Sequence, residues 1–277
     1  MLIRYGFNID LDFFQPSTLV TVMDVHPDRW SDIVSETSYP YGQARRARTF
    51  FDAHGNFCRR IDLDGGTVSL RREGLIRDGG LPDPVFPTLP QTPVADLPDE
   101  TLQYLTASRY CETDLMAAFA WQNFGWIEGG WARVQAICDF VQGHLRFDYA
   151  LASPTRTAVG AFQERVGVCR DFNHLAVTLC RCLNIPARYC NGYLGDIGVP
   201  FNPDPMDFNA WFEAYLDGRW YTFDARHNQP RIGRILLARG RDAADIPMIH
   251  SYGQHSLGRF EVITEEVPEA QAMRAVA

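Results

Sequence analysis

The chain has no excess of positive charge. Its lysine and arginine total of 26 is outnumbered by 34 aspartates and glutamates, for a formal net charge of −8. A basic footprint for phosphate backbones is therefore missing, and nucleic acid and anionic lipid are excluded as expected partners. No apolar run approaches the roughly 20 residues that cross a bilayer, and the opening MLIRYGFNID lacks the apolar stretch of a signal peptide. These absences lead us to expect a soluble, cytoplasmic protein with no membrane partner. A paired-cysteine framework is missing too. The seven cysteines (58, 111, 138, 169, 180, 182 and 190) are odd in number and follow no small-scaffold spacing, so reduced core thiols are expected. Cys180 and Cys182 diverge on a helix, which makes them, with Cys190 and a histidine, a poor metal set; buried thiols fit better. There is no internal repeat, and nothing in the sequence sets an oligomeric state.

What is present is an ordinary globular balance, 46% hydrophobic and 22% charged over 277 residues, enough for one large or two modest domains. Residues 1–78 read as a β-rich N-terminal domain, with β-branched runs in STLVTVMDV and GGTVSLRRE and a strand–turn–strand in FDAHGNFCRRIDLDGG. Residues 79–100 hold six prolines (82, 84, 87, 90, 93 and 98) and read as an extended linker laid over the surface. Residues 101–277 begin with helical periodicity. DETLQYLTASRY, ETDLMAAFAWQNF, WARVQAICDFVQGHLRF and a shorter TRTAVGAFQERVG ending at Gly167 are the candidate helices. A helix from about Val168 to Asn184 follows, then the strand-like ARYCNGYL and a hairpin. Helices followed by strands indicate an α+β fold with an antiparallel sheet.

Two stretches carry the chemistry. In GVCRDFNHLAVTLCRCLNIP the apolar stripe is Phe172, Leu175, Ala176, Leu179, Cys180 and Leu183. Cys169 falls on that stripe in the first turn, where unpaired N–H groups and the positive helix end lower a thiol pKa and can hold an oxyanion. In DFNAWFEAYLDGRWYTFDARHN, Asp217-Gly218 suits a two-residue hairpin, pairing Leu216 with Arg219 and Trp211 with Asp224. Asn209 then lies diagonally from Asp224, within side-chain reach.

These two stretches resemble the core of bacterial transglutaminase-like proteins, over roughly residues 130–230. The resemblance implies a papain-like arrangement in which a helix carrying a cysteine packs on an antiparallel sheet. Carried over by position, Cys169 falls on the nucleophile and Asp224 on the triad acid, while Asn209 stands where the HAW motif has its histidine. The implied reaction is attack of Cys169 on an amide or peptide carbonyl, with the Cys169 N–H helping to hold the oxyanion. The thioester formed is released by water in a hydrolase or by an amine in an acyltransferase. Hydrolysis is favoured, with a peptide or protein amide as substrate and no metal or organic cofactor.

Asparagine cannot replace a histidine base. His174 lies about 140° around its helix from Cys169, on the polar side with Thr178 and Arg181. His227, three residues beyond Asp224, is the best substitute. An odd offset turns it away from a straight strand, and a bulge or turn at Ala225-Arg226 would return it, with Asn209 then free to orient it. His250 and His255 rank behind it, and a base that is truly missing stands beside His227. In that case the protein is a non-catalytic binding protein that has kept the groove. Trp211 and Trp220 are candidates to shape a substrate groove, against a core reading as hairpin aromatics. Asp171 is expected as a helix cap or a partner of Arg170 or Arg188.

Overall fold

The computed structural model describes residues 1–38, 41 and 44–268. The N-terminal part contains β1 (Leu2–Phe13), β2 (Ser17–Thr21), β3 (Ile33–Ser38), β4 (Ala44–Phe51), β5 (Phe57–Leu63) and β6 (Gly66–Arg77). The helical part follows with α1 (Thr113–Phe124), α2 (Gly130–His144), β7 (Arg146–Phe147), α3 (Ala158–Glu164), β8 (Val166–Gly167) and α4 (Cys169–Cys182). The chain continues through β9 (Ala187–Tyr193), β10 (Asn209–Leu216), β11 (Arg219–Phe223), β12 (Ile235–Gly240), β13 (Ile249–Ser251) and β14 (His255–Glu266). The fold is α+β, with antiparallel four-stranded sheets and a strand-rich N-terminal region.

The sheet that carries the hairpin has the order β11-β10-β9-β12 and is covered on both faces. Phe212, Ala214 and Phe223 pack with α1, α2 and α4 in one core. Tyr193, Ile235 and Leu237 pack into a second core, formed by residues of β1, β2, β5 and β6. Two-sided coverage leaves β9, β10 and β12 nearly continuously buried rather than alternating. The hairpin turn has Asp217 at φ 44° and Gly218 at φ 85°, and Leu216 pairs with Arg219. Two positive φ values in a two-residue loop match the twist of the strands, which explains the Asp-Gly pair.

Two sequence expectations change. The segment expected to open the helical part is a 3₁₀ turn, Asp99–Leu105. The helix α3 ends at Arg165, left-handed at φ 56°, and not at Gly167. At its C-terminal end the chain returns to the N-terminal strands. There β13 pairs with β2, and β14 pairs with β1 from Ile3↔Glu266 to Phe13↔His255. Strand pairing over such separations leaves no local trace, which is why the sequence alone did not reveal it.

The proline-rich segment is pinned as it crosses the surface. The Leu89 carbonyl accepts from Gly130 and Trp131 at the start of α2, Gln91 donates to the Leu183 carbonyl, and Phe86 packs edge-on to Trp131 and Tyr221. Asp83 receives the Arg234 guanidinium at 2.8 Å.

Candidate active site

The first turn of α4 is locked from behind. The Asp171 carboxylate accepts the Val168 N–H at 3.0 Å and is gripped by Arg156 at 3.3 Å and Arg170 at 2.9 Å. Asp171 is therefore both cap and ion-pair partner, while Arg188 pairs with Glu213 instead. Gly167 is required here, because a Cβ would sit 2.6 Å from that of Asp171. Cys169 emerges half-buried at the first helical position, against Tyr189 and Ala210. Burial pushes its thiol up to about 11, and Asp207 adds to this; the charge of Arg226 and hydrogen bonding from the Ala210 backbone oppose it. The lowered thiol pKa expected from the helix start alone is thus outweighed by desolvation.

The whole of α4 from Asp171 to Cys182 is buried, so its polar side faces protein and not water. His174 stacks on Tyr110 with ring centroids 5.1 Å apart, and its Nε2 accepts the Ala243 N–H. Asn173, fully buried, joins three segments. Its Nδ2 donates to the carbonyls of Cys169 (2.8 Å) and Ala210 (2.9 Å), and its Oδ1 accepts the Ala225 N–H at 3.3 Å. One side chain thereby ties the cysteine turn to β10 and to the turn after β11. Sequence reading missed Asn173, and its only signal was a position one turn beyond Cys169.

The pairing of β10 and β11 stops at Phe212↔Phe223, one step short of the expected Trp211–Asp224 pair. The chain turns through residues 225–227, closed by the Asn228 N–H on the Asp224 carbonyl at 2.8 Å. This turn removes the parity objection and brings His227 back onto Asp224. The buried carboxylate accepts His227 Nδ1 at 2.8 Å and Arg234 at 3.1 Å on Oδ2, and the N–H groups of Arg226 and His227 at 3.0 Å on Oδ1. Burial alone would raise its pKa, yet the Arg234 charge and the bonds from His227 hold it well below the usual carboxylate range. An ionised Asp224 fixes the His227 proton on Nδ1 and leaves Nε2 as the acceptor.

Asn209 does not orient His227. Its Oδ1 accepts from Arg226 at 3.3 Å, and the Arg226 guanidinium lies 3.9 Å from the centroid of the Phe147 ring. A cleft of about 210 Å³ brings together Phe147, Tyr149, Asp207, Asn209, Arg226 and His227, with Asp196, Asp204 and Arg231 also on its wall. Trp211 and Trp220 lie elsewhere. Trp211 is 2% exposed beneath Arg234, and Trp220 packs edge-on to Tyr104 and Tyr215. The aromatic walls of the cleft are Phe147 and Tyr149, which precede the cysteine helix and carried no sequence signal. His250 and His255 sit on β13 and β14, in the outer sheets. Among the described residues no cluster of three or more metal-ligating side chains occurs, and no helix is long and apolar enough to cross a membrane.

Residues 118–225 match the family model of the transglutaminase-like superfamily. Over 114 residues the chain is 29% identical to an uncharacterized protein of Mycobacterium leprae, covering 39% of this chain and 40% of that one. Over 125 residues it is 31% identical to an uncharacterized protein of Mycobacterium bovis, covering 40% and 39%. The chain thus spans about two fifths of the length of these curated relatives. Among solved structures, a candidate cysteine protease from Cytophaga hutchinsonii superposes with a TM-score of 0.82 at 29% identity, covering 96% of this chain and 90% of that one.

Proposed function

We propose that this chain, whose residues 118–225 form a transglutaminase-like core, is a cysteine hydrolase of amide or peptide bonds. The observation that carries this reading is the Asp224–His227 pair, at 2.8 Å, on the turn that Asn173 ties to the Cys169 carbonyl. Cys169 begins as a neutral thiol. As its sulfur attacks the carbonyl, His227 Nε2 takes the thiol proton, and the Cys169 N–H helps hold the oxyanion. The protonated imidazole is stabilised by Asp224 and then passes its proton to the leaving amine. Water, deprotonated by the same imidazole, cleaves the thioester and restores the thiol. A peptide or protein amide is the substrate class, in keeping with the protease-like neighbour.

The test is hydrolysis of a peptide library by the wild type, Cys169→Ala and His227→Ala. Loss of turnover in the first, and a fall of about 10²–10⁴-fold in the second, is expected. Full activity in His227→Ala would remove it as the base. Hydrolysis and acyl transfer separate by adding a primary amine and following its incorporation. The sequence contains no lysine, so side-chain amines of the enzyme itself cannot act as acceptors and blur this result.

A second reading, a binding protein without turnover, is favoured by one observation: Asn209 stands at the family's histidine position and is occupied by Arg226. Asn209→His distinguishes the two. A gain of hydrolysis marks a degenerate site, and a loss marks asparagine as part of a working one; we expect the loss.

A further inference from the structure

The polar contacts of Asn173 place Arg226 beside the cysteine turn. Its amide bonds both the Cys169 carbonyl and the Ala210 carbonyl, and its oxygen takes the Ala225 N–H. The residue before Ala210 is Asn209, the residue after Ala225 is Arg226, and these two are bonded to each other at 3.3 Å. The guanidinium is held on a second side by the Phe147 ring, on the short strand that pairs with β8 immediately before the cysteine helix. Its backbone N–H is fixed by Asp224. The guanidinium is thus held at two points and the backbone at a third, on the wall of the cleft that also holds His227.

We propose that Arg226 is a positioning residue for Cys169: anchored by Asn209 and Phe147, its guanidinium supplies the fixed positive charge that the cysteine anion faces. On this view Asn209 is the anchor of a cation, not the remnant of a lost base. In a site where an imidazolium serves both as counter-ion to the thiolate and as proton carrier, one residue holds both roles. Here they are divided, with His227 on Asp224 moving the proton and Arg226 supplying permanent charge. Arginine suits this role because it stays ionised throughout the accessible pH range, and its planar head both stacks and donates. The inference rests on Cys169 as the nucleophile, but not on turnover.

The groups that face Cys169 include charges of both signs. Asp207 precedes β10, Asp224 and Arg226 follow β11, and Tyr149 lies after β7, while His227 shares the cleft wall with Arg226. Tyr189 comes from β9, and Arg170 and Asp171 share its own helix. Of these, Arg226 exerts the largest charge effect favouring the thiolate.

The experiment is the rate of Cys169 alkylation by iodoacetamide against pH, read by mass spectrometry on the intact protein, with no substrate required. In Arg226→Gln the profile should move to higher pH by about one unit, so the rate at pH 8 falls roughly tenfold. Arg226→Lys keeps the charge and should stay within about threefold of wild type. Asn209→Ala, which removes only the anchor, should shift the profile in the same direction by less. Identical profiles for wild type, Arg226→Gln and Asn209→Ala would overturn the proposal, as would an equal drop in the Lys and Gln variants. If Arg226→Gln does not fold, the Asn209→Ala and Arg226→Lys profiles decide. A shifted profile in a protein without hydrolytic turnover would leave this inference standing while removing the proposed hydrolase.

Discussion

Asp224 gathers four hydrogen bonds onto one buried carboxylate, two of them from charged or chargeable side chains. Its folded pKa is depressed, so its contribution to stability is present above the unfolded value near 3.9 and fades as pH falls through the folded one. It therefore stabilises the fold at neutral pH, and its pH dependence shows only in acid unfolding. His26 works in the opposite range. Buried, with its Nδ1 accepting the Asp28 N–H, it is held down to about 4 by burial and by Arg239. The unfolded chain binds that proton from about pH 6.5 downward, so stability falls between about 6.5 and 4. The loss is on the order of 2 kcal/mol after allowance for screening. The substitution His26→Asn would keep a cap acceptor without the titration; urea unfolding at pH 7 and pH 5 should then differ less than in wild type. Asn173→Ala removes the buried side-chain bonds to the Cys169 and Ala210 carbonyls and to the Ala225 N–H. We expect a cost of about 2–3 kcal/mol, seen as a lower Tm, and slower Cys169 alkylation as the turn loosens.

At the scale of elements, the start of α4 and the β10–β11 hairpin are built for different purposes. The helix start is crowded: Gly167→Ala would press a methyl onto Asp171, disturbing the carboxylate that Arg156, Arg170 and the Val168 N–H share. Both stability and Cys169 reactivity should fall together in that variant. The hairpin turn is open, since nothing lies within 4 Å of a Cβ at Gly218, but its φ of 85° strains any L-residue. Gly218→Ala should cost about 1–2 kcal/mol in thermal unfolding and leave alkylation of Cys169 unchanged, because the turn is at the far end of β10 from Asn209. The contrast separates local strain from damage to the site.

For the molecule as a whole, the β11-β10-β9-β12 sheet is a middle layer, with helices on one face and the β-rich part on the other. The last strand closes the outer layer: β14 covers the edge of β1 along almost its entire length. Truncation after Gln254 should expose that edge and the apolar row behind it. Aggregation on concentration, measured by light scattering, and a lower Tm are expected. A truncated chain as stable and monodisperse as the full one would show that the outer layer does not need β14. The surface-crossing proline segment also enters the site indirectly, since its Asp83 holds Arg234, which in turn holds Asp224.

The sequence by itself determined the α+β class, the principal helices, the Asp-Gly hairpin with its register, and the transglutaminase-like core, because these rest on local periodicity, turn chemistry and closely spaced motifs. It also supplied Cys169, Asp224 and His227 as the residues to watch, and left the position of His227 to a turn it could name but not place. Only the tertiary structure decided that the chain bends after Phe223 so that His227 lies on Asp224, that Asn209 serves Arg226, and that Phe147 and Tyr149 line the cleft in place of the two tryptophans. It also decided that β13 and β14 return to the outer sheets. The reason is common to all of these. Each depends on segments distant in sequence competing for the same buried donors, acceptors and sheet edges, and that competition is resolved only when the layers pack.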